Sequence, residues 1–271
     1  MGAGEAGTGI GELIAMALEK GGLSHEDAMR RCHFLDSKGL VCKSRDQLQP
    51  HKMAFAHDIP YQPDLISAIR AIRPTILVGV SATAGAFNEE AVTTMAAINA
   101  RPIIMPLSNP TSKAECTFEE AVLWTAGKVV FASGSPFPPL QHNGTTLYPA
   151  QANNAYVFPA LGHAAVLAGA KELRDDVFLA IAESLSTLTS NAELAEGRLF
   201  PDFDSIQEVS AELTARVATH LVGHRLCGWK FGVKEIGVDR GSGLGLALHF
   251  CFCITAPNHT HIISRSNGTI T

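Results

Sequence analysis

The sequence predicts an α/β fold with a doubly wound, mostly parallel sheet, followed by C-terminal helices. Three observations support this prediction. Short apolar runs alternate with amphipathic segments, as in strand–helix–strand units. A glycine-rich segment, Gly2 to Gly7, leads directly into the first helical pattern. Two loops, at Asn109-Pro110 and Ser135-Pro136, follow the ends of predicted strands, where open α/β sheets bind their ligands.

The composition is that of a globular protein. Of the 271 residues, 46% are hydrophobic and 17% are charged, which excludes disordered and fibrous chains. The formal net charge is −5 and there is no basic run, so we expect no nucleic-acid partner. The longest mostly apolar stretch, Leu244 to Ala256, is too short to cross a bilayer as a helix, so we expect no membrane partner. No CxxC pair suggests zinc, although Cys251-Phe-Cys253 with nearby histidines leaves a soft-metal site as an alternative.

The first element is Gly2-Ala3-Gly4-Glu5-Ala6-Gly7, the GxGxxG fingerprint of Rossmann-like dinucleotide-binding folds. Its first glycine makes the tight turn out of a strand, its second admits a pyrophosphate, and its third lets the helix pack on the sheet. No strand-forming sequence precedes Gly2, so we expect a Rossmann-like sheet that lacks its first strand. An ordinary glycine loop is the alternative.

The elements after this loop follow from hydrophobic periodicity. Apolar residues at helical spacing predict a helix over 9–20, and an apolar run predicts a strand over 32–36. The same alternation continues with helices over 63–72, 88–98 and 117–125 and strands over 75–80, 102–107 and 129–132. Four strands therefore follow the glycine loop. Beyond residue 153 we expect helices over 154–169, 175–189 and 206–224, with Pro159 kinking or interrupting the first.

A second cofactor contact is expected at the end of strand 32–36, where Asp36-Ser37-Lys38 lies. An acidic residue here accepts hydrogen bonds from the adenine ribose and favours NAD, whereas nearby cations favour the additional phosphate of NADP. Arg45 and Lys52 add positive charge to Lys38 in the same segment, so the sequence favours NADP over NAD. A solvated basic loop is the alternative reading of these cations.

The sequence resembles the dinucleotide-binding half of malic enzymes over about residues 2 to 225. Seven strings occur in the family's order: Gly2 to Gly7, Leu35-Asp-Ser-Lys-Gly-Leu40, Pro102-Ile-Ile104, Leu107-Ser-Asn-Pro-Thr-Ser-Lys-Ala-Glu-Cys116, Phe131-Ala-Ser-Gly-Ser-Pro-Phe137, Ala152-Asn-Asn-Ala-Tyr-Val-Phe-Pro159 and Glu196-Gly-Arg-Leu-Phe-Pro201. The resemblance implies NADP-dependent or NAD-dependent oxidative decarboxylation of (S)-malate to pyruvate and CO2, with a divalent Mn or Mg ion.

The resemblance also implies a set of site residues. The pyrophosphate loop is matched by Gly2, Ala3, Gly4, Glu5, Ala6 and Gly7, the ribose position by Asp36, the 2′-phosphate contacts by Ser37, Lys38 and Lys52, and a cofactor-side arginine by Arg45. Asn109 matches the asparagine that binds malate and borders the nicotinamide, and Asn153 and Asn154 match the substrate-facing pair. From the residues alone, Asn109 is an Asn-Pro turn and the pair is a helix cap. Ala150 and Ala152 depart from the family, which often has glycine there.

The family's metal carboxylates, general-base lysine and general-acid tyrosine lie upstream of the glycine loop. They would precede Met1, so we assign no catalytic residue and no metal ligand and expect the chain alone to be inactive. Glu115 is interpreted as a carboxylate that stabilises the start of the following helix.

The expected organisation is an N-terminally truncated NAD(P)-binding domain over 1–228 and an unrelated, disordered tail over 229–271. Two alternatives stay open: part of an NAD-linked malic or malolactic enzyme, and a non-catalytic dinucleotide-binding or interaction module. Full-length relatives form homo-oligomers. The compartment, whether cytoplasm, plastid or mitochondrion, is not indicated by the sequence.

Overall fold

The computed structural model describes residues 1–224 and 226, together with the backbone of three short strands beyond them. The chain divides into two compact units, the first containing residues 1–153 and 191–200 and the second residues 154–190 and 201–271. The expectation of a disordered tail over 229–271 falls mostly outside the described residues and stays a prediction.

The described elements are numbered in chain order. The helices are α1 (Glu5–Lys20), α2 (His25–Met29), α3 (Pro50–Met53), α4 (Leu65–Ile72), α5 (Glu89–Ile98), α6 (Phe118–Trp124), α7 (Phe158–Ala168), α8 (Asp175–Ser186), α9 (Asn191–Ala195) and α10 (Ile206–Gly223). The strands are β1 (Leu35–Asp36), β2 (Gly39–Leu40), β3 (Ile76–Gly79), β4 (Ile103–Pro106), β5 (Val130–Ser133), β6 (Leu140–His142), β7 (Thr145–Leu147), β8 (Ala150–Gln151), β9 (Phe231–Gly232), β10 (Phe252–Ala256) and β11 (His259–Ile263). Short 3-10 helices occupy Thr111–Lys113, Asn154–Tyr156 and Phe203–Ser205.

The first unit is built on a four-stranded sheet in the order β3-β4-β5-β8, with every neighbouring pair parallel. Its buried core joins the strands to α5 and α6 through Phe87, Met95, Ile104, Phe118 and Phe131. Since parallel strands are covered by helices on their faces, long apolar runs mark them in sequence. The predicted Rossmann-like α/β fold is confirmed.

Helix starts in this unit coincide with capping side chains. The Asn88 side chain accepts a hydrogen bond from the amide of Ala91 at the start of α5. Thr117 and Glu120 form a reciprocal capping box at the start of α6. The predicted boundaries of these two helices are therefore confirmed to within one residue.

The predicted strand over 32–36 is wrong in extent and in pairing. Only Leu35 and Asp36 are extended as β1, and they pair antiparallel with β2 rather than joining the four-stranded sheet. Gly39 has φ +92°, which lets the chain reverse immediately after Lys38. The fourth strand of the sheet is β8, which was not predicted because it is two residues long.

A second hairpin, β6–β7, was also not predicted. Its two-residue turn is Asn143-Gly144, where both residues have positive φ, at 50° and 76°. This is the geometry that Asn-Gly favours between antiparallel strands.

The glycine loop begins between β1 and β3. The amide of Gly2 donates to the carbonyl of Leu35 at 2.8 Å, and the amide of Val80 donates to the carbonyl of Met1 at 2.9 Å. Met1 and Gly2 therefore lie at the position where the first strand of a Rossmann-like fold ends. A cleft of about 630 Å³ lies beside them, lined in part by α1 and β3.

The second unit contains α7, α8 and α10, with α10 packed against both other helices. Pro159 is the second residue of α7, which begins at Phe158 after a 3-10 turn, so the predicted interruption is confirmed. The Tyr156 hydroxyl donates to the carbonyl of Pro201 at 2.6 Å and anchors this turn. In the described part of the chain, none of the helices combines the length and apolar character that spanning a membrane requires.

Candidate functional site

Each glycine of the GxGxxG loop occupies a different steric setting. Gly2 has φ +103°, and a Cβ there would lie 2.8 Å from the backbone of Val80. A Cβ on Gly7 would lie 2.2 Å from the carbonyl oxygen of Gly2, so the helix approaches the loop too closely for a side chain. Nothing lies within 4 Å of the Cβ position of Gly4. The loop therefore packs tightly against the protein at Gly2 and Gly7 and is open to solvent space at Gly4.

Helix α1 starts at Glu5, directly behind the open glycine. Gly4 is its N-cap and contributes no side chain to the free amides of the first turn. The positive end of the helix dipole and these amides favour an anion such as a phosphate. Ala3, which is buried, fixes the loop further because its carbonyl is 3.1 Å from Nε2 of His51 on α3. The loop and helix can hold a pyrophosphate at Gly4.

The carboxylate of Asp36 is saturated with hydrogen bonds. Arg45 donates to both oxygens, from Nη1 to Oδ1 at 3.0 Å and from Nη2 to Oδ2 at 3.1 Å. Lys52 Nζ donates to Oδ2 at 2.7 Å, and the amide of Lys38 donates to Oδ1 at 2.8 Å. A carboxylate has about four acceptor positions, and all four are used here. The side chain of Asp36 is committed to the protein.

This network fixes the ionisation of Asp36. Burial of the carboxyl group raises its pKa, but the hydrogen bonds from Arg45, Lys52 and Lys38 outweigh burial and lower the pKa to about 2. The three charged side chains are only 11 to 13% exposed. Together they carry one net positive charge, since two cations face one carboxylate.

Ser37 and Lys38 lie on the turn between β1 and β2, and both are exposed. The Tyr61 hydroxyl donates to the carbonyl of Lys38 at 2.7 Å and holds the turn in place. Because Lys38 follows Asp36 by two residues, its ammonium adds to the positive charge at this end of β1. The structure brings the side chains of Asp36, Arg45 and Lys52 together with the backbone amide of Lys38. The cofactor-binding role of these residues stays a prediction.

Asn109 follows β4 and is exposed, in a cis peptide bond with Pro110. The Ser135 hydroxyl donates to its Oδ1 at 2.7 Å, which joins the loops that follow β4 and β5. Gly134 permits this approach, because a Cβ there would lie 2.3 Å from the carbonyl oxygen of Leu107. The side-chain amide nitrogen of Asn109 lies 3.5 Å from that same oxygen, a long contact. The sequence indicated the loops of both Asn109 and Ser135 as ligand-binding loops, but not the hydrogen bond between these two side chains.

Glu115 has a different role from the one predicted. Glu115 is fully buried. Its Oε1 accepts hydrogen bonds from the hydroxyls of Ser81 at 3.2 Å and Ser108 at 2.5 Å and from the amide of Ser81 at 3.1 Å. The interpretation as a helix-stabilising carboxylate is wrong, since Thr117 and Glu120 cap α6 instead. Glu115 ties together the loops that follow β3 and β4.

The close packing around Glu115 explains one glycine of β3. A Cβ on Gly79 would lie 2.4 Å from the carboxyl carbon of Glu115. The sequence did not indicate that Glu115 is buried; the available signal was its position between two apolar residues, Ala114 and Cys116, which are also buried.

The two remaining predicted residues are at the boundary between the units. Asn153 is the last residue of the first unit before it resumes at Asn191, and its amide donates to the carbonyl of Gln151 at 3.1 Å. Asn154 is exposed and begins the 3-10 helix of the second unit. Ala150, which departs from the family's glycine, is buried in β8 opposite Ala132.

Comparison with known proteins identifies the family. The family model described as malic enzyme, NAD binding domain, matches residues 1–222. The NADP-dependent malic enzyme of Columba livia is 48% identical over 218 residues, which are 80% of this chain and 39% of that protein. NADP-dependent malic enzyme 1 of Arabidopsis thaliana is 46% identical over 81% of this chain and 38% of its own length. The human NADP-dependent malic enzyme is 46% identical over 80% and 38%, respectively.

A solved structure supports the same fold. The crystal structure of a malic enzyme from Pyrococcus horikoshii superposes with a TM-score of 0.52 and 18% identity over 70% of this chain and 40% of that chain. The chain spans less than two fifths of the length of the curated relatives named above. Since the family model covers most of the chain, this protein belongs to the malic enzyme family and contains its NAD-binding domain.

Proposed function

We propose that this chain binds NADP and forms the cofactor side of a malic enzyme site, where (S)-malate is oxidatively decarboxylated to pyruvate and CO2. The observation that carries the cofactor preference is the saturated carboxylate of Asp36. A free carboxylate would accept hydrogen bonds from the adenine ribose diol and favour NAD. Here all four acceptor positions of Asp36 are filled by Arg45, Lys52 and the amide of Lys38.

The charge at this position also supports NADP. Arg45 and Lys52 leave one positive charge in excess of Asp36, and the exposed Lys38 adds a second nearby. A 2′-phosphate carries negative charge and accepts charge-assisted hydrogen bonds, which are stronger than neutral ones. The hydroxyl of Ser37, on the same exposed turn, supplies a further donor. The relatives named as NADP-dependent agree with this proposal.

The rest of the cofactor follows from the loop geometry. The open side of Gly4 and the first amides of α1 receive the pyrophosphate. NADP, when bound, would supply the acceptor for the hydride from C2 of malate. Asn109, held by Ser135, would lie on the nicotinamide side, and its amide can donate to a substrate carboxylate without adding charge. Asn153, in the same compact unit as Asn109, is a further substrate residue in this proposal.

The metal of the family has no matching site among the described residues. The cluster of metal-ligating side chains found there, Asp176, His220 and His224, offers one carboxylate and two imidazoles. Mg2+ prefers oxygen ligands, and Mn2+ shares that preference. These residues therefore do not fit Mn or Mg, and we propose that the chain alone does not turn over malate.

Binding measurements test the proposal directly. Titration of the full chain with NADPH and NADH, followed by nucleotide fluorescence, should give a Kd for NADPH at least about tenfold lower, as one charge-assisted contact provides. Equal dissociation constants would favour the NAD-linked alternative. Binding of neither nucleotide would favour the non-catalytic interaction module.

A further inference from the structure

The first turn of α8 and the last turn of α10 bring three metal-ligating side chains together within the second unit. They are Asp176, His220 and His224, and their ligand atoms all lie within 4.8 Å of one another. His220 and His224 are one helical turn apart, so both project from the same face of α10. Asp176 belongs to α8, which packs against α10. The cluster is thus built across two packed helices.

The two imidazole rings are stacked in parallel. Their centroids are 4.1 Å apart and their planes differ by 24°. Two histidines at positions i and i+4 of a helix present their nitrogens to one point, which is the arrangement that helical zinc sites use. Because the ring planes are almost parallel and stacked, at least one imidazole must rotate before both nitrogens can face one ion.

We propose that Asp176, His220 and His224 form a Zn2+ site that links α8 to α10. Zinc bonds to nitrogen and carboxylate oxygen are about 2.0 to 2.2 Å long and tetrahedral, which places neighbouring ligand atoms about 3.4 Å apart. Nε2 of His220 and Oδ2 of Asp176 are 3.4 Å apart. That separation is long for a hydrogen bond and fits two ligands of one ion.

The donor set selects the type of metal. Imidazole suits zinc, copper and nickel, whereas magnesium and calcium prefer oxygen ligands. Three protein ligands leave a fourth tetrahedral position to water or to a further ligand. His220 and Asp176 are partly exposed, at 21 and 32% of their side chains, so a metal from solution can reach them. The site is therefore specific for a borderline-soft divalent ion.

Arg174 competes with the metal for the carboxylate. Its Nη2 donates to Oδ2 of Asp176 at 2.9 Å and its Nε donates to Oδ1 at 3.1 Å. A metal needs one oxygen only, and Arg174 is half-exposed and can retain the other.

Cobalt titration tests this site, because Co2+ replaces Zn2+ and gives visible absorption that reports tetrahedral coordination. The full chain is used with Cys251→Ser and Cys253→Ser, which removes thiolate ligands from the tail. We expect one Co2+ per chain, displaced by Zn2+. His224→Gln and Asp176→Asn should each weaken Co2+ binding by at least about tenfold, within the range seen when groups that support a metal are removed.

A matched control is His163→Gln, an exposed histidine of α7 in the same unit. It should bind Co2+ as the parent does. Zn2+ should also raise the thermal unfolding midpoint of the parent and of His163→Gln, but not of His224→Gln, because a bound ion stabilises the state that binds it. Equal Co2+ affinity in the parent and His224→Gln would overturn the proposal, as would the absence of tetrahedral absorption in the parent.

Discussion

Arg45 donates two parallel hydrogen bonds to the carboxylate of Asp36, at 3.0 and 3.1 Å, and the two residues are nine positions apart in the sequence. This planar pairing fixes the loop that contains Arg45 against the end of β1. Arg45 also donates to the carbonyls of Gly39 and Leu40, so one guanidinium holds both strands of the β1–β2 hairpin. The structural role of Asp36 and the cofactor preference proposed for this site therefore have the same origin.

Replacing Asp36 with Asn should destabilise the chain. The amide cannot accept from Arg45 on both sides, and Arg45 and Lys52 are left as poorly paired cations that are nearly buried. Breaking one partner of a buried ion pair costs about 3 kcal/mol. Urea unfolding at pH 7 measures this loss, and Asp46→Asn, at an exposed position on the same loop, is the control that should change little.

The lowered pKa of Asp36 predicts that the folded chain loses stability in acid. Its pKa is lowered from 3.8 to about 2 in the folded chain, so the folded state binds this proton more weakly than the unfolded state. The stabilisation is fully present above about pH 4 and is lost as the pH falls through the folded pKa. It amounts to about 2 kcal/mol. Urea midpoints between pH 5 and pH 2 should fall more steeply for the parent than for Asp36→Asn. Parallel pH profiles would contradict this assignment.

Lys38 and Lys52 should differ in their effect on the two nucleotides. Lys38→Met removes an exposed cation, so the Kd for NADPH should rise about fivefold or more while that for NADH changes little. Lys52→Met removes a nearly buried cation and should also raise the Kd for NADPH. It frees one acceptor position on Asp36, which should improve NADH binding. Nucleotide fluorescence titrations measure both constants. Lys128→Met, an exposed lysine of the same unit, is the control, and equal effects on NADPH and NADH would contradict the NADP assignment.

The sequence predicted the parts of this fold that rest on long periodic segments. The strands β3, β4 and β5 and the helices α5 and α6 were found because each buries a continuous apolar face. Strand β8 was missed because it has two residues and takes its extended form from pairing with β5. Pairing of this kind depends on contacts distant in sequence and leaves no local pattern.

The same distinction holds for the site. Asp36 and its cations could be predicted because they follow the glycine loop within one short segment. The use of all four acceptor positions of Asp36 could not be predicted, because one of the donors is Lys52 on α3, sixteen residues further along the chain. The hydrogen bonds of Ser135 and Glu115 could not be predicted, because a single polar residue in a loop carries no periodic signal and the partners, Asn109 and Ser108, lie on another part of the chain.

The glycine loop predicts a separation of binding from stability. Gly4→Ala places a methyl group in open space at φ −84°, which alanine adopts readily, so the chain should lose only about 1 kcal/mol of stability, as an alanine N-cap costs. The same methyl group projects where the pyrophosphate is proposed to lie, and the Kd for NADPH should rise at least about tenfold. Thermal unfolding and nucleotide titration together measure the two effects. Unchanged NADPH affinity in Gly4→Ala would contradict the proposed pyrophosphate position.

Gly7→Ala makes the same chemical change as Gly4→Ala at a tightly packed glycine of the same loop. Its methyl group would lie 2.2 Å from the carbonyl oxygen of Gly2, so the helix must move away from the loop. We expect a loss of stability of about 1 to 3 kcal/mol, as for other overpacked sites, with a lower thermal midpoint even without nucleotide. A stability equal to that of Gly4→Ala would contradict the observed packing.

Glu115 should be required for the stability of the first unit rather than for its charge balance. Glu115→Gln keeps one oxygen that can accept from the hydroxyls of Ser81 and Ser108. It replaces the other oxygen, which accepts from the amide of Ser108 at 3.4 Å, with an NH2 group, so this buried amide is left facing a second donor. Each unsatisfied buried group costs about 1 to 3 kcal/mol. Glu119→Gln, on the exposed face of α6, changes the same charge and should have almost no effect on urea unfolding. Equal unfolding midpoints for the two variants would show that the buried network does not hold the loops after β3 and β4. A selective loss in Glu115→Gln, with a matching fall in NADPH affinity, would show that these loops must be held together for the cofactor to bind.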